Sequence, residues 1–161
     1  MSDARWLDVD DDLTAAAEHF RSAAALHASG GFDEPGLAGY RNSMALMHAM
    51  QSAHTSAETA LQRILLILGE EQPAGEDWHQ RLIARLAKPI DGEHARPAVL
   101  SPAVAADLDE TRRFRNRATR SYGSFDPSKV VPSIAAAARL ACSLSDDVRR
   151  FRRTIDPDVV A

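Results

Sequence analysis

The sequence predicts an all-α protein, an antiparallel bundle of about five helices. Three observations support this class. Of the 161 residues, 45% are apolar but only 6% are aromatic, and alanine is abundant; that balance suits closely packed helices rather than sheets. Apolar residues recur at spacings of three and four along several segments. No useful stretch alternates with the period of two that a half-buried strand requires. A chain of this length fits a single domain over residues 1–161, with an acidic N-terminal extension over residues 1–12.

The first helix is expected from about residue 12 to 27, because TAAAEHFRSAAALH is rich in strong helix formers and the aspartates before it suit a helix N-terminus. Ser29-Gly30-Gly31 stops it, and FDEPGLAG reads as a loop. A long second helix over residues 40–68 carries Met47, Met50, His54, Ala57, Leu61, Ile64 and Leu68 as one stripe suited to burial. Gly69 ends it. A shorter helix over residues 77–87 places Trp78, Leu82 and Leu86 on one side and closes before Pro89. DGEHARPAVL reads as irregular, with Val99 and Leu100 docking on the core. Ser101-Pro102 starts the fourth helix, with Ser as N-cap and Pro at the first helical position. Gly123 ends that helix. Asp126-Pro127 begins a last one that runs to about Ile155, with Pro132 as a candidate kink.

Composition excludes several classes. The longest strongly apolar run, residues 64–68, is far too short to cross a bilayer, and MSDARWLDVDDD is no basic leader; a cytoplasmic protein without membrane contact is expected. The single Cys142 cannot form an intramolecular disulfide and reads as a small core hydrophobe. The six histidines show no HExxH-like spacing, and one cysteine rules out a thiolate zinc site. No metal or other cofactor is expected. There is no GxGxxG, Walker loop or GxSxG.

The formal charge of −4 conceals a segregation. Asp8, Asp10, Asp11 and Asp12 crowd one end, while Arg112, Arg113, Arg115, Arg117 and Arg120 crowd the fourth helix. That helix carries Val104, Leu108, Thr111, Arg115, Ala118 and Tyr122 on one line, so an apolar stripe turns polar in its last two turns. Guanidinium groups pair with phosphate oxygens in a bidentate fork, so the cluster suits a phosphate backbone and an anionic partner. The competing reading is a solvated face paired with the acidic N-terminus or with Asp107, Asp109 and Glu110. The RRFRR run of residues 149–153 reads as a solvated last turn that complements the helix dipole.

The run Arg115-Asn116-Arg117-Ala118-Thr119-Arg120-Ser121-Tyr122 resembles the R-x4-H-x-Y motif, also written RNxxxHxY, of HepT-like ribonuclease toxins of the HEPN superfamily. The resemblance extends through GEDWHQRL, RPAVLS, LDETRRFRNR and FDPSKV, and spans residues 44–151. It implies a helical homodimer whose motif helices meet at a shared cleft. It also implies a metal-independent endoribonuclease, paired in a type VII HepT/MNT toxin-antitoxin system with a minimal nucleotidyltransferase (MNT-type) antitoxin. Such an antitoxin silences the toxin by AMPylation of the motif tyrosine. By position, the resemblance makes Arg115 the arginine at the scissile phosphate, Asn116 the residue that orients it, Arg120 the third catalytic position and Tyr122 the AMP acceptor. Arg112, Arg113 and Arg117 are then the RNA-binding residues beside them.

One position departs from the pattern: Arg120 stands where the family has histidine. That histidine would assist attack of a ribose 2′-OH on the adjacent phosphate, which needs a group that exchanges protons near neutral pH. Arginine, with a pKa above about 12, cannot act as a base. Losing such a group costs about 10²- to 10⁴-fold in rate, while electrostatic stabilisation survives. No other histidine is expected to replace it. His48 and His54 lie on different faces of the long helix, with His54 reading as a satisfied core residue, and His79 follows Trp78 at a helix start; His19, His27 and His94 read as exposed. The alternative is therefore a catalytically impaired HEPN module that binds RNA or a nucleotidyltransferase partner without cleaving RNA.

Overall fold

A computed structural model describes residues 4–120 and 126–157, without the side chains of Thr119 and Arg120. Among them are five α-helices: α1 (Ala4–Ser29), α2 (Leu37–Ile67), α3 (Trp78–Leu86), α4 (Pro102–Arg120) and α5 (Val131–Ile155), the last preceded by a 3₁₀ turn, Pro127–Val130. The only β pairing among the described residues is an isolated bridge between Ile90 and Arg96. The fold is an all-α bundle, as the composition predicts.

Helix α1 begins at Ala4 rather than near Asp12, so the acidic segment is helix and not an extension. Trp6, Val9, Leu13, Ala16, Phe20 and Ala23 continue one buried stripe back through it at spacings of three and four. The aspartates take the outer face. Asp12 and Asp8 meet Arg63 of α2 at 2.7 and 3.4 Å, and Asp10 meets Arg152 of α5 at 3.0 Å, whose guanidinium lies 4.6 Å from the centre of the Trp6 ring. Four closely spaced acids obscure this stripe in the sequence.

The predicted stripe on α2 is buried at Met50, His54, Ala57, Leu61 and Ile64, whereas Met47 and Leu68 are half-buried. Leu46, Ala53 and Leu65 widen it, because this long helix packs against both α1 and α4. Its ends depend on glycine. Gly69, at φ 70°, closes the helix with Glu70 N–H donating to the Leu65 carbonyl at 2.9 Å. A side chain at Gly39 would collide with the Glu34 carbonyl of the preceding loop.

The segment after α3 is irregular yet firmly held. Val99 and Leu100 are buried, and both their N–H groups donate to the Leu86 carbonyl, at 2.8 and 3.0 Å. Arg96, only 5% exposed, pairs with Glu70 at 2.9 Å and donates to the Lys88 and Pro97 carbonyls. These bonds set where α4 starts. There the Ser101 hydroxyl accepts from Val104 N–H at 3.3 Å, as an N-cap, and Ser101 N–H donates to Asp147 of α5 at 2.6 Å.

Helices α4 and α5 run antiparallel, since Ser101 meets Asp147, Asp107 meets Arg139 in a two-bond fork at 2.7 and 2.9 Å, and Glu110 meets Ser133 at 2.8 Å. The Asp107 carboxylate also raises the pKa of Arg139, mainly by accepting its hydrogen bonds. Asp126 caps the 3₁₀ turn by accepting from Ser128 N–H at 3.0 Å; the Ser128 hydroxyl and N–H bonds hold its carboxyl below the usual value. Pro132 falls in the first turn of α5, where no helical partner for its nitrogen is missing, and the expected kink is replaced by the 3₁₀ turn before it. Cys142 is exposed and is not a core residue. The buried line of α5 is Ala137, Leu140, Ala141, Leu144, Val148 and Phe151, and a residue two past Leu140 lies about 200° around the helix from it.

Candidate functional site

The site forms where α2, α3 and α4 converge. Thr111 and Arg115 are one turn apart on α4, at the point where its buried stripe of Val104 and Leu108 becomes polar. Opposite them on α2, His54 and Glu58 are also one turn apart. His54 is fully buried and the Glu58 side chain is 4% exposed. His79 enters from the first turn of α3, with its ring stacked on Trp78 at a centroid distance of 3.6 Å.

Glu58 is the hub. Its Oε1 accepts from Arg115 Nη1 at 2.6 Å, and its Oε2 is hydrogen-bonded to His79 Nδ1. A carboxylate this deeply buried requires such partners, because an unpaired charge at that depth would be expelled or neutralised. Arg115 and His79 retain about 30% of their side-chain surface. The carboxylate is thus sealed in the protein while the two side chains it holds are partly exposed. Among the described residues, the Glu58 bond is the hydrogen bond that His79 makes.

His54 is structural, as its place on the stripe predicts. The Thr111 hydroxyl donates to the Leu108 carbonyl at 3.0 Å, so at 2.9 Å His54 Nδ1 must donate to Thr111 Oγ1. That tautomer turns the Nε2 lone pair towards Glu58 Oε1, 3.4 Å away, and two acceptors make no hydrogen bond there. Burial, then the nearby charges of Arg115, His79 and Arg112, lower the His54 pKa to about 3. The ring is neutral at physiological pH and serves to position Thr111.

The arginine cluster is more compensated than a list of cations suggests. Arg112 and Arg113 share Asp109, at 2.8 and 2.7 Å. Arg117 lies 3.5 Å from Glu110 and donates to the Ser133 hydroxyl at 3.3 Å. These acids sit one to two turns earlier on the same helix, within reach of the following arginines. Arg112 is largely covered, whereas Arg113 and Arg117 are exposed, as is Asn116. The acidic N-terminus pairs instead with Arg63 and Arg152. The side chain of Arg120 and the whole of Tyr122, both expected in the site, lie outside the described residues. In the C-terminal run, Phe151 is buried and Arg149 and Arg150 pair with Asp146 and Asp147.

Glu58 is the residue that motif reasoning passes over. Its signal is a carboxylate at position 58 within the spacing 54, 57, 58, 61 of a buried stripe, facing a helix whose own stripe ends in arginine. No three His, Cys, Asp or Glu side chains among the described residues converge as a metal site, and no helix there is long and apolar enough to cross a membrane.

No curated protein and no solved structure matches the chain. A family model described as HepT-like protein matches residues 45–155, from the first third of α2 to the end of α5, and so includes every residue of the polar cluster. The chain belongs to the HepT-like family of HEPN proteins.

Proposed function

We propose that the protein is a metal-independent endoribonuclease of the HepT type, acting as the toxin of a pair with a minimal nucleotidyltransferase antitoxin. The observation that carries this reading is the arrangement of Arg115, a motif arginine on an otherwise buried line, anchored by Glu58 with its side chain 31% exposed. A guanidinium fixed in this way suits an RNA phosphate and stabilises the charge that builds up on it during cleavage. Asn116 flanks it, and the exposed Arg113 and Arg117, with the less exposed Arg112, extend a cationic margin along α4 for the RNA backbone. Arg120 adds a further charge. A homodimer in which two α4 helices face one another supplies the cleft, and Tyr122 is the AMP acceptor by which the antitoxin silences the protein. The cytoplasm is where both partners and substrate would meet.

The test is incubation of the purified chain with single-stranded RNA in EDTA, and co-expression with a nucleotidyltransferase of this class. Cleavage that Arg115→Ala abolishes, and AMP found on Tyr122 by mass spectrometry, are the expected results.

A second reading is favoured by one position. Because Arg120 replaces the motif histidine, the module would bind RNA or a nucleotidyltransferase without cleaving. That reading predicts an inert wild-type chain that gains cleavage on Arg120→His.

A further inference from the structure

Proton transfer is the chemistry that Arg120 cannot supply, and the polar cluster contains a group that can. Three observations converge on His79. It lies outside the R-x4-H-x-Y motif, on α3 rather than α4, yet shares a carboxylate with the motif arginine: Glu58 takes Arg115 on Oε1 and His79 on Oε2. Its Nδ1 is committed to that buried carboxylate, which fixes the tautomer and leaves Nε2 as the acceptor. Its side chain is 30% exposed and its ring is stacked on Trp78, so it is both accessible and restrained. His54, the other histidine of the cluster, is fully buried with Nδ1 committed to Thr111.

We infer that His79 is the catalytic base of RNA cleavage in this protein, with Glu58 as its positioning residue, forming a His–Glu dyad beside Arg115 that stands in for the missing motif histidine. This rests on the ribonuclease reading above. In the step, Nε2 of His79 takes the proton of a ribose 2′-OH as its oxygen bonds to the adjacent phosphorus. The bond from phosphorus to the 5′-oxygen breaks, and that oxygen takes a proton from water. The products are a 2′,3′-cyclic phosphate and a 5′-hydroxyl, and the imidazolium returns its proton to solvent. Glu58 balances the imidazolium while it exists, and Arg115 balances the phosphate. The charged and titratable groups of the cluster around His79 are Glu58, which it contacts, His54 beside Glu58 on α2, and Arg115 and Arg112 from α4, which act on His54.

The experiment uses the full chain, EDTA and a short single-stranded RNA, with rate, RNA affinity and pH profile measured together. His79→Gln keeps an amide donor for Glu58 but accepts no proton; its rate is expected to fall about 10²- to 10⁴-fold with RNA affinity retained. The wild-type rate is expected to rise through the histidine range, about pH 5 to 8, and this needs no variant to fold. In Glu58→Gln the pH profile of the rate is expected to differ from that of wild type, because the imidazole loses its carboxylate partner, an effect that a merely structural role for Glu58 does not produce. A wild-type enzyme that cleaves with a flat profile, or a folded His79→Gln that cleaves at the wild-type rate, overturns the dyad and leaves the ribonuclease reading standing. An inert wild-type chain overturns both.

Discussion

Arg115 of α4 donates to Glu58 of α2 at 2.6 Å, so the first residue of the RNxxxRxY run is fixed by a buried carboxylate that no part of the motif specifies. The two residues are far apart in sequence, and the contact exists only because two buried stripes, each of which becomes polar at the same level, are packed against one another. Stability and activity therefore meet at Glu58.

Glu58→Ala is expected to destabilise the protein by about 3–5 kcal/mol, the usual cost of breaking a buried ion pair from one side. Glu58→Gln, which retains the volume, is expected to cost about 1–3 kcal/mol. Urea unfolding of the two variants against wild type checks both, and equal stabilities for all three would show that the carboxylate is not a buried hub.

Acid is expected to weaken the fold through His54. Its pKa in the folded protein is about 3, below the unfolded value near 6.5, so the unfolded chain binds more protons between these two values. The stability that depends on a neutral ring is complete above about pH 6.5 and is lost as pH falls towards 3, by up to about 1.4 kcal/mol per pH unit. Melting temperatures at pH 7 and pH 5 should differ more in wild type than in His54→Gln. An unchanged pH dependence in the variant contradicts the assignment.

Trp6→Ala is expected to cost about 3 kcal/mol, since the ring is 9% exposed, belongs to the core and carries Arg152 above it. Thermal unfolding measures it. A change near zero would mean that residues before Asp12 contribute no packing.

The fold class and most helix boundaries follow from spacing alone: Gly69, Ser101-Pro102 and Pro89 mark their ends in plain chemical terms. The start of α1 does not, because Asp8, Asp10, Asp11 and Asp12 overlie an apolar stripe at Trp6, Val9 and Leu13, and their partners Arg63 and Arg152 are distant in sequence. Cys142 shows the converse, an apolar neighbourhood in sequence that places the residue on the outer face. In the site, the line from Val104 to Arg115 is legible from the period of α4. Glu58 and His79 are not, because a glutamate within a helix and a histidine after a tryptophan have no distinguishing local pattern, and only the convergence of three helices brings them together. The pairing of Arg112 and Arg113 with Asp109 is local, and charge alone leaves it equally compatible with a solvated face and with an anion site.

Arg115→Ala should reduce RNA cleavage by at least about 10²-fold, the scale of losing one preorganised stabiliser of transition-state charge, while the helical content is kept. Single-turnover cleavage of a labelled single-stranded RNA in EDTA, with wild type and Arg115→Ala side by side, measures whether Arg115 drives RNA cleavage. Wild type is expected to cleave without metal, and the variant to lose that cleavage. RNA left intact by the folded wild-type protein, or cut equally by both, would contradict it.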